Sequence, residues 1–332
     1  MVRGIRPNEL RPKLPLKIET GIEVVLHHRV RKSIGALEIM TLASYFSGQR
    51  KGLSFELFPP KSDAGVTTLL EAVRDLMAFR PDFFTCTYGA GGSTRDRTLQ
   101  VVQAVHREFN VPVASHLTCV GSTVEQLRDY LRVAQQAGVS YIVALRGDPP
   151  KGETEFRAVN GGLRYANELV ELIRADFKEL GIAVAGYPEV HQEALDATTD
   201  LINLKRKVDA GADIVVTQLF YDNADFFRFE EACRKIGIEV PIVPGILPVT
   251  NLAQIQRITS LCKAKLPTRF VDKLSQNSDE HWQFDVGVEF AQQQVQELLD
   301  RGVPGVHFYV LNKSQATKRV LEAVNFADVA RA

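Results

Sequence analysis

The sequence predicts a (β/α)8 TIM barrel in a single domain, and three observations lead there. From Leu53 onward, short runs of β-branched, aromatic and small apolar residues alternate with longer runs of helical period. Strict alternation means parallel strands joined by helical crossovers. Eight such strands are the number that closes into a barrel. The open doubly wound sheet is the competing α/β architecture, and it usually carries a glycine-rich dinucleotide loop after its first strand. Here Pro59, Pro60 and Lys61 follow that strand, and they cannot make such a loop.

In chain order, strands are expected at 53–58, 82–88, 112–119, 141–147, 182–188, 213–220, 241–247 and 306–312. Helical patterns fill the intervals at 66–79, 95–109, 123–137, 163–180, 198–210, 223–236, 251–264, 283–301 and 314–325. Gly138, Gly181 and Gly211 stand where helix stops are expected. Residues 265–281 interrupt the rhythm and read as a flap over the barrel mouth.

Composition sets the outer limits. Of 332 residues, 45% are hydrophobic and 24% charged, which describes a folded globular chain. Forty basic residues balance forty acidic ones, so no global field draws the chain to nucleic acid or to a membrane surface. Cys86, Cys119, Cys233 and Cys262 lie far apart without metal-type spacing, and they read as reduced thiols of a cytoplasmic protein. No run approaches the ~18–20 apolar residues that span a bilayer. Residues 1–50 are read as a disordered or irregular N-terminal extension, ahead of a barrel domain at 51–328. The extension lacks the apolar core of a secretory signal, and Glu9, Glu19 and Glu23 argue against a transit peptide.

In a barrel of this kind the C-terminal strand ends form the active face. Nearly every predicted strand is apolar in its first half and polar at its end. The fourth strand ends in Arg146, Gly147 and Asp148, then prolines. Arg146 and Asp148 share one parity, and Gly147 lets a ligand approach the backbone. A surface ion pair beside a turn is the bland alternative. Glu56 lies inside a strand among Phe55, Leu57 and Phe58. Desolvation there is expected to raise its pKa, so that it holds a proton and serves as a general acid. A buried glutamate paired with a cation for structural reasons is the alternative.

The run Gly89-Ala90-Gly91-Gly92-Ser93-Thr94 precedes a helix and could present amides to an anion, although most such clusters are plain turns. His116 and His191 are candidate ligands or acid–base groups. No third residue stands at metal-ligand spacing, so no metal is expected. In the helix at 198–210, Asp200, Asn203 and Lys207 share one face. Such a face usually meets solvent, but it also suits a ligand carrying hydroxyls and phosphates.

These residues together resemble the methylenetetrahydrofolate reductase family. The resemblance rests on Ser54 to Pro60, Thr87 to Ala90, His116 to Thr118, Leu145 to Asp148, Tyr187 to His191, Asn203 to Lys207, Thr217-Gln218 and Phe308 to Asn312. It runs in order over every strand, from about Leu53 to Phe326, and is closest in kind to the compact bacterial type. It implies FAD held non-covalently at the C-terminal face. By this resemblance, NADH or NADPH passes hydride to the flavin and leaves. Methylenetetrahydrofolate then binds in its place and is reduced to the methyl form, a ping-pong sequence that feeds methionine synthesis. Glu56 is implied as the acid that opens the folate's five-membered ring, and Asp148 as the group between folate and flavin. Gln218, Gln254 and Lys313 are implied as further substrate contacts. The implied FAD positions are Thr87, Tyr88, Ala90, His116, Arg146, Gly147, Asp148 and Tyr165, continuing with Ala166, Tyr187, His191, Asp200, Asn203, Arg206 and Lys207. A homo-oligomer is the family habit.

Two positions depart from the family pattern. Ile258 stands where some bacterial relatives carry a phenylalanine against folate and nicotinamide, and Lys313 stands where many carry arginine. Three other readings compete with the reductase reading. The first, a cofactor-free barrel lyase or aldolase, would want a Schiff-base lysine on an inner strand position, which none of the eight strands offers before its final residue. Another FAD-dependent barrel such as proline dehydrogenase would bring paired arginines near the last strand. A non-catalytic partner subunit that binds folate or FAD would not need Glu56, Asp148 and Gln218 together.

Overall fold

A computed structural model describes residues 41–48, 50–88, 95–149, 152–153 and 155–326. The strands are β1 (Gly52–Leu57), β2 (Phe83–Cys86), β3 (Val113–Thr118), β4 (Tyr141–Leu145), β5 (Gly181–Gly186), β6 (Ile214–Thr217), β7 (Ile242–Val243), β8 (Gly245–Ile246) and β9 (Gly305–Tyr309). Each pairs in parallel with its neighbour, in the order β7-β6-β5-β4-β3-β2-β1-β9-β8. This is the predicted barrel, with its seventh position split in two. β7 pairs with β6, and β8 pairs with β9.

The split has a local cause. Pro244 stands between the halves and has no N–H to give to a ladder. Gly245 N–H donates instead to Thr217 Oγ1 at 2.9 Å. The Thr217 carbonyl accepts from Tyr309 Oη at 2.7 Å. Side chains thus make the joint that backbone amides make elsewhere.

The helices are α1 (Asp63–Leu76), α2 (Arg95–Phe109), α3 (Val124–Gln136), α4 (Ala166–Asp176), α5 (Ala197–Asp209), α6 (Asn223–Lys235), α7 (Leu252–Cys262), α8 (Thr268–Ser275), α9 (Glu280–Asp300) and α10 (Gln315–Ala323). Their apolar stripes, such as Leu69 and Val73 of α1 or Leu127 and Leu131 of α3, pack on the outward residues Phe55, Leu57, Phe84 and Ile142. Alternation along each strand leaves the other parity facing inward.

Inside, Phe83, Ala114, Tyr141, Val143, Ala183, Ile214 and Val243 form a second cluster. Leu42, Tyr45 and Phe46 complete it, from a 3-10 turn at Leu42–Phe46. Tyr45 Oη lies 3.1 Å from Tyr141 Oη, so the turn stoppers the end of the barrel where the strands begin. Residues 42–46 are therefore part of the barrel's packing, and the boundary expected at 50 moves back toward 41. Residues 1–40 lie outside the described residues.

The flap expected at 265–281 is instead an anchored helix. Phe270 and Leu274 of α8 are buried, and Phe270 stacks on Phe290 of α9 at 4.0 Å. Both Glu189 carboxylate oxygens accept from Lys265 N–H, tying the start of this segment to the end of β5. Among the described residues, no helix is long and apolar enough to cross a membrane.

Candidate functional site

The first constellation is built by β1, β3 and β9. Glu56 is in register with Thr85 on one side and Tyr309 on the other, and it is 7% exposed. Its Oε2 lies 3.3 Å from His116 Nε2 and 4.0 Å from His307 Nε2. His307 Nδ1 is 2.8 Å from Ser54 Oγ, which leaves Nε2 turned toward the carboxylate. Burial pushes the Glu56 carboxyl pKa up, but the bonds and charges of His116 and then His307 outweigh it, holding the value down at about 2. The expectation of a raised pKa is overturned. Phe55 and Leu57, which suggested an apolar setting, point outward to the helices, while the two histidines approach across the sheet.

The second constellation is a cavity of about 1240 Å³. Arg146, Tyr165, Ala166, Tyr187, His191, Asp200, Asn203, Arg206 and Lys207 all line it, so nine of the predicted cofactor positions meet in one place. The polar face of α5 forms one wall. Asp196 caps that helix, accepting from Thr199 N–H at 2.7 Å. Asp200 accepts from His191 N–H at 2.9 Å and so ties the loop after β5 to the helix. Lys207 Nζ donates to the Ala185 carbonyl at 2.5 Å. Burial lowers its pKa to about 8, against the pull of Asp200. The Tyr187 ring meets His191 edge-on at 4.6 Å, and burial raises its phenol pKa. Burial also lowers the His191 pKa, with Asp200 and Glu193 opposing.

Arg146 lines the cavity as well. Its guanidinium grips Glu193 through two bonds of 2.6 and 2.7 Å and lies over the Phe156 ring at 4.9 Å. Sequence reasoning missed Glu193 and Phe156. Glu193 stands two residues past His191, where the reading stopped, and Phe156 lies outside every predicted element.

The shared parity of Arg146 and Asp148 does not carry over. β4 ends at Leu145, and Gly147 adopts φ +88°, which breaks the alternation. A side chain at 147 would also meet Thr118 Cβ and Val120 Cγ1 at 3.0 Å. Asp148 is exposed, yet its charge reaches both Arg146 and Tyr187.

The other predicted residues are more scattered. Thr87 follows β2, and its carbonyl accepts from Thr98 Oγ1 at 2.9 Å. Tyr88 is buried edge-on against Tyr130 of α3, within the outer core. Ala90 and the glycine-rich run at 89–94 lie outside the described residues. Gln218 follows β6, and its Oε1 accepts from Leu219 N–H at 2.8 Å. Gln254 Oε1 accepts from Thr250 Oγ1 at 2.5 Å. Ile258 packs with the cluster around Phe270 and Leu274. Lys313 is exposed beyond β9. Among the described residues, no hydrogen bond or ion pair joins Asp148, Gln254 or Lys313 to Glu56.

Tyr309 connects the two constellations. The charges of Glu56 and of Tyr187 both reach its buried phenol, whose pKa burial raises. Glu56 is thus a buried carboxylate held between two imidazoles, and the separate cavity carries cationic, hydroxyl and amide groups.

A family model described as methylenetetrahydrofolate reductase matches residues 42–325. The chain belongs to the methylenetetrahydrofolate reductase family. The match begins at the 3-10 stopper and contains both constellations of this reductase-family barrel. The chain is 38% identical over 266 residues to the 5,10-methylenetetrahydrofolate reductase of Escherichia coli (strain K12), covering 79% of this chain and 87% of that one. The enzyme of the same name from Pectobacterium carotovorum is 38% identical over 288 residues, covering 85% and 93%. Methylenetetrahydrofolate reductase (NADH) 1 of Zea mays is 40% identical over 285 residues, or 82% of this chain. This chain spans about half of the maize protein's length, 48%. Among solved structures, an uncharacterised Clostridium thermocellum protein, described as binding two copies of 5-methyl-5,6,7,8-tetrahydrofolic acid, shares the fold. It has a TM-score of 0.58 at 12% identity and covers 87% of this chain and 99% of its own.

Proposed function

We propose that this chain reduces 5,10-methylenetetrahydrofolate to 5-methyltetrahydrofolate with electrons from NADH or NADPH relayed by bound FAD. The observation that carries the reading is the convergence of nine expected cofactor positions on one cavity, in a chain of this family. Two further features fit a flat, polar-edged ligand at the strand ends. Thr118 Oγ1 is buried with no hydrogen-bond partner among the described residues. Gly147, beside it, keeps a side chain out of the space that such a ligand would approach.

FAD would supply the two-electron store between nicotinamide and folate. Arg146, Asp200, Asn203, Arg206 and Lys207 suit its hydroxyls and diphosphate. Asp148 would hold the pterin, and its negative charge would steady the cationic iminium formed when the folate's five-membered ring opens. Ring opening needs a proton delivered to a ring nitrogen. Glu56 is the group that would deliver it. Because the carboxylate is ionised down to about pH 2, it would first have to take up a proton through the imidazoles at 3.3 and 4.0 Å and then pass it to the ring nitrogen. Gln218 and Gln254 would bond the pterin, and Lys313 would attract an acidic tail as a point charge. The printed names of the plant relatives support NADH as the donor. The family also supports a cytoplasmic homo-oligomer whose product serves methionine synthesis.

The test is spectroscopic. Purified protein should show flavin absorbance that NADH or NADPH bleaches without oxygen and that methylenetetrahydrofolate restores. A preparation that neither carries nor takes up FAD would sink the proposal.

A further inference from the structure

The phenol of Tyr309 spans two parts of the barrel that the proposed reaction needs in fixed relation. Tyr309 stands in register with Glu56 on the adjoining strand. Its ring meets His307 edge-on, at 5.1 Å and 90°, which limits how His307 can turn. His307 in turn holds Ser54 and faces Glu56. The hydroxyl reaches across to β6 and donates to the Thr217 carbonyl at 2.7 Å. Thr217 directly precedes Gln218.

The crossing depends on a residue in the split strand. A Cβ at Gly245 would fall nearest the Thr217 carbonyl oxygen itself, and 2.6 Å from Tyr309 Cε2 and 2.9 Å from its hydroxyl. Only glycine leaves the ring its path. Pro244 brings no N–H, and Gly245 N–H is spent on Thr217 Oγ1, so the phenol is the donor that satisfies the Thr217 carbonyl.

We infer that Tyr309 is a positioning residue. It sets the placement of Gln218 relative to the Glu56 cluster, and with it the pose of the pterin against its proton donor. This inference rests on the reductase reading given above. A tyrosine that only filled the barrel would act through its ring, and removal of the hydroxyl would leave the two sites unchanged. A strut acts through its hydroxyl.

The test is Tyr309→Phe in the FAD-loaded enzyme, followed by anaerobic stopped-flow of each half-reaction over a range of pH. The loss of one buried hydrogen bond predicts a rise of about tenfold in the folate KM. The folate half-reaction should slow more than the nicotinamide half, and its pH profile should shift. Gly245→Ala, which crowds both the ring and the Thr217 carbonyl that the ring's hydroxyl bonds, should give the same pattern, and the double variant should be no worse than the more impaired single variant. A folate KM within twofold of wild type in Tyr309→Phe, or equal slowing of both halves, overturns the inference. That outcome holds even if Gly245→Ala does not fold. Wild-type protein that binds FAD but is never reoxidised by folate overturns the reductase reading, and this inference with it.

Discussion

Glu56 lies between two imidazoles, and this changes what its replacement should do. Its folded pKa of about 2 is below the ordinary 4.5, so the stability it lends is complete above about pH 4.5 and lost as pH falls toward 2. Denaturation midpoints measured from pH 5 to pH 2.5 should fall less steeply for Glu56→Gln than for wild type. In turnover, Glu56→Gln should leave bleaching by the nicotinamide largely intact and slow the folate half at least about a hundredfold. Normal folate turnover would remove Glu56 from the chemistry.

Lys207 makes the opposite case. Its pKa is lowered from 10.5 to about 8, so between those values the unfolded chain binds more protons and stability rises with pH. A bound diphosphate would favour the charged amine. FAD binding at pH 8.5 should therefore take up protons, read by calorimetry in buffers of different ionisation enthalpy. Lys207→Met should abolish the uptake and weaken binding by about tenfold or more.

At the scale of elements, polar residues at strand ends do two kinds of work, and sequence spacing alone does not separate them. Arg146 after β4 and Tyr187 after β5 open on the cavity as read. Asn312, just past β9, instead clasps the residue that follows β1. Phe58 N–H donates to its Oδ1 at 2.9 Å, and its Nδ2 donates back to the Phe58 carbonyl at 2.8 Å. Asn312→Ala should cost about 1–2 kcal/mol in chemical denaturation. His307 was missed for a related reason. His307 lies mid-strand rather than at a strand end, and only its pairing opposite Ser54 brings it to Glu56.

The packing of α9 was equally hidden. A Cβ at Gly287 would fall 1.9 Å from the Val249 carbonyl oxygen. Buried Gln283, one turn earlier, bonds Leu252 N–H and the Leu274 and Asn277 carbonyls, joining α7, α8 and α9. Gly287→Ala should destabilise by about 2 kcal/mol or more through overpacking. A denaturation midpoint equal to wild type would show that the loop yields freely.

For the whole molecule, the barrel was legible because alternation along the chain is a one-dimensional property, and eight repeats of it leave few ways to close. The stopper at the strand starts was not. Leu42, Tyr45 and Phe46 carry no periodic signal, and their partners Phe83, Tyr141 and Ile214 come from distant strands. Phe46 is buried and meets Phe83 edge-on at 6.1 Å. Phe46→Ala should cost about 3 kcal/mol, seen as a lower midpoint in urea.

The joint at Pro244 has a mechanical meaning. A hoop laced all round by amides can be slackened only by unfolding. This one is fastened at one rung by a hydroxyl and a phenol, so two conservative substitutions, Thr217→Val and Tyr309→Phe, would undo the fastening and leave every peptide group in place. In hydrogen–deuterium exchange the Gly245 amide should then swap its hydrogen well before that of Phe55, the mark of a ring that opens at its buckle.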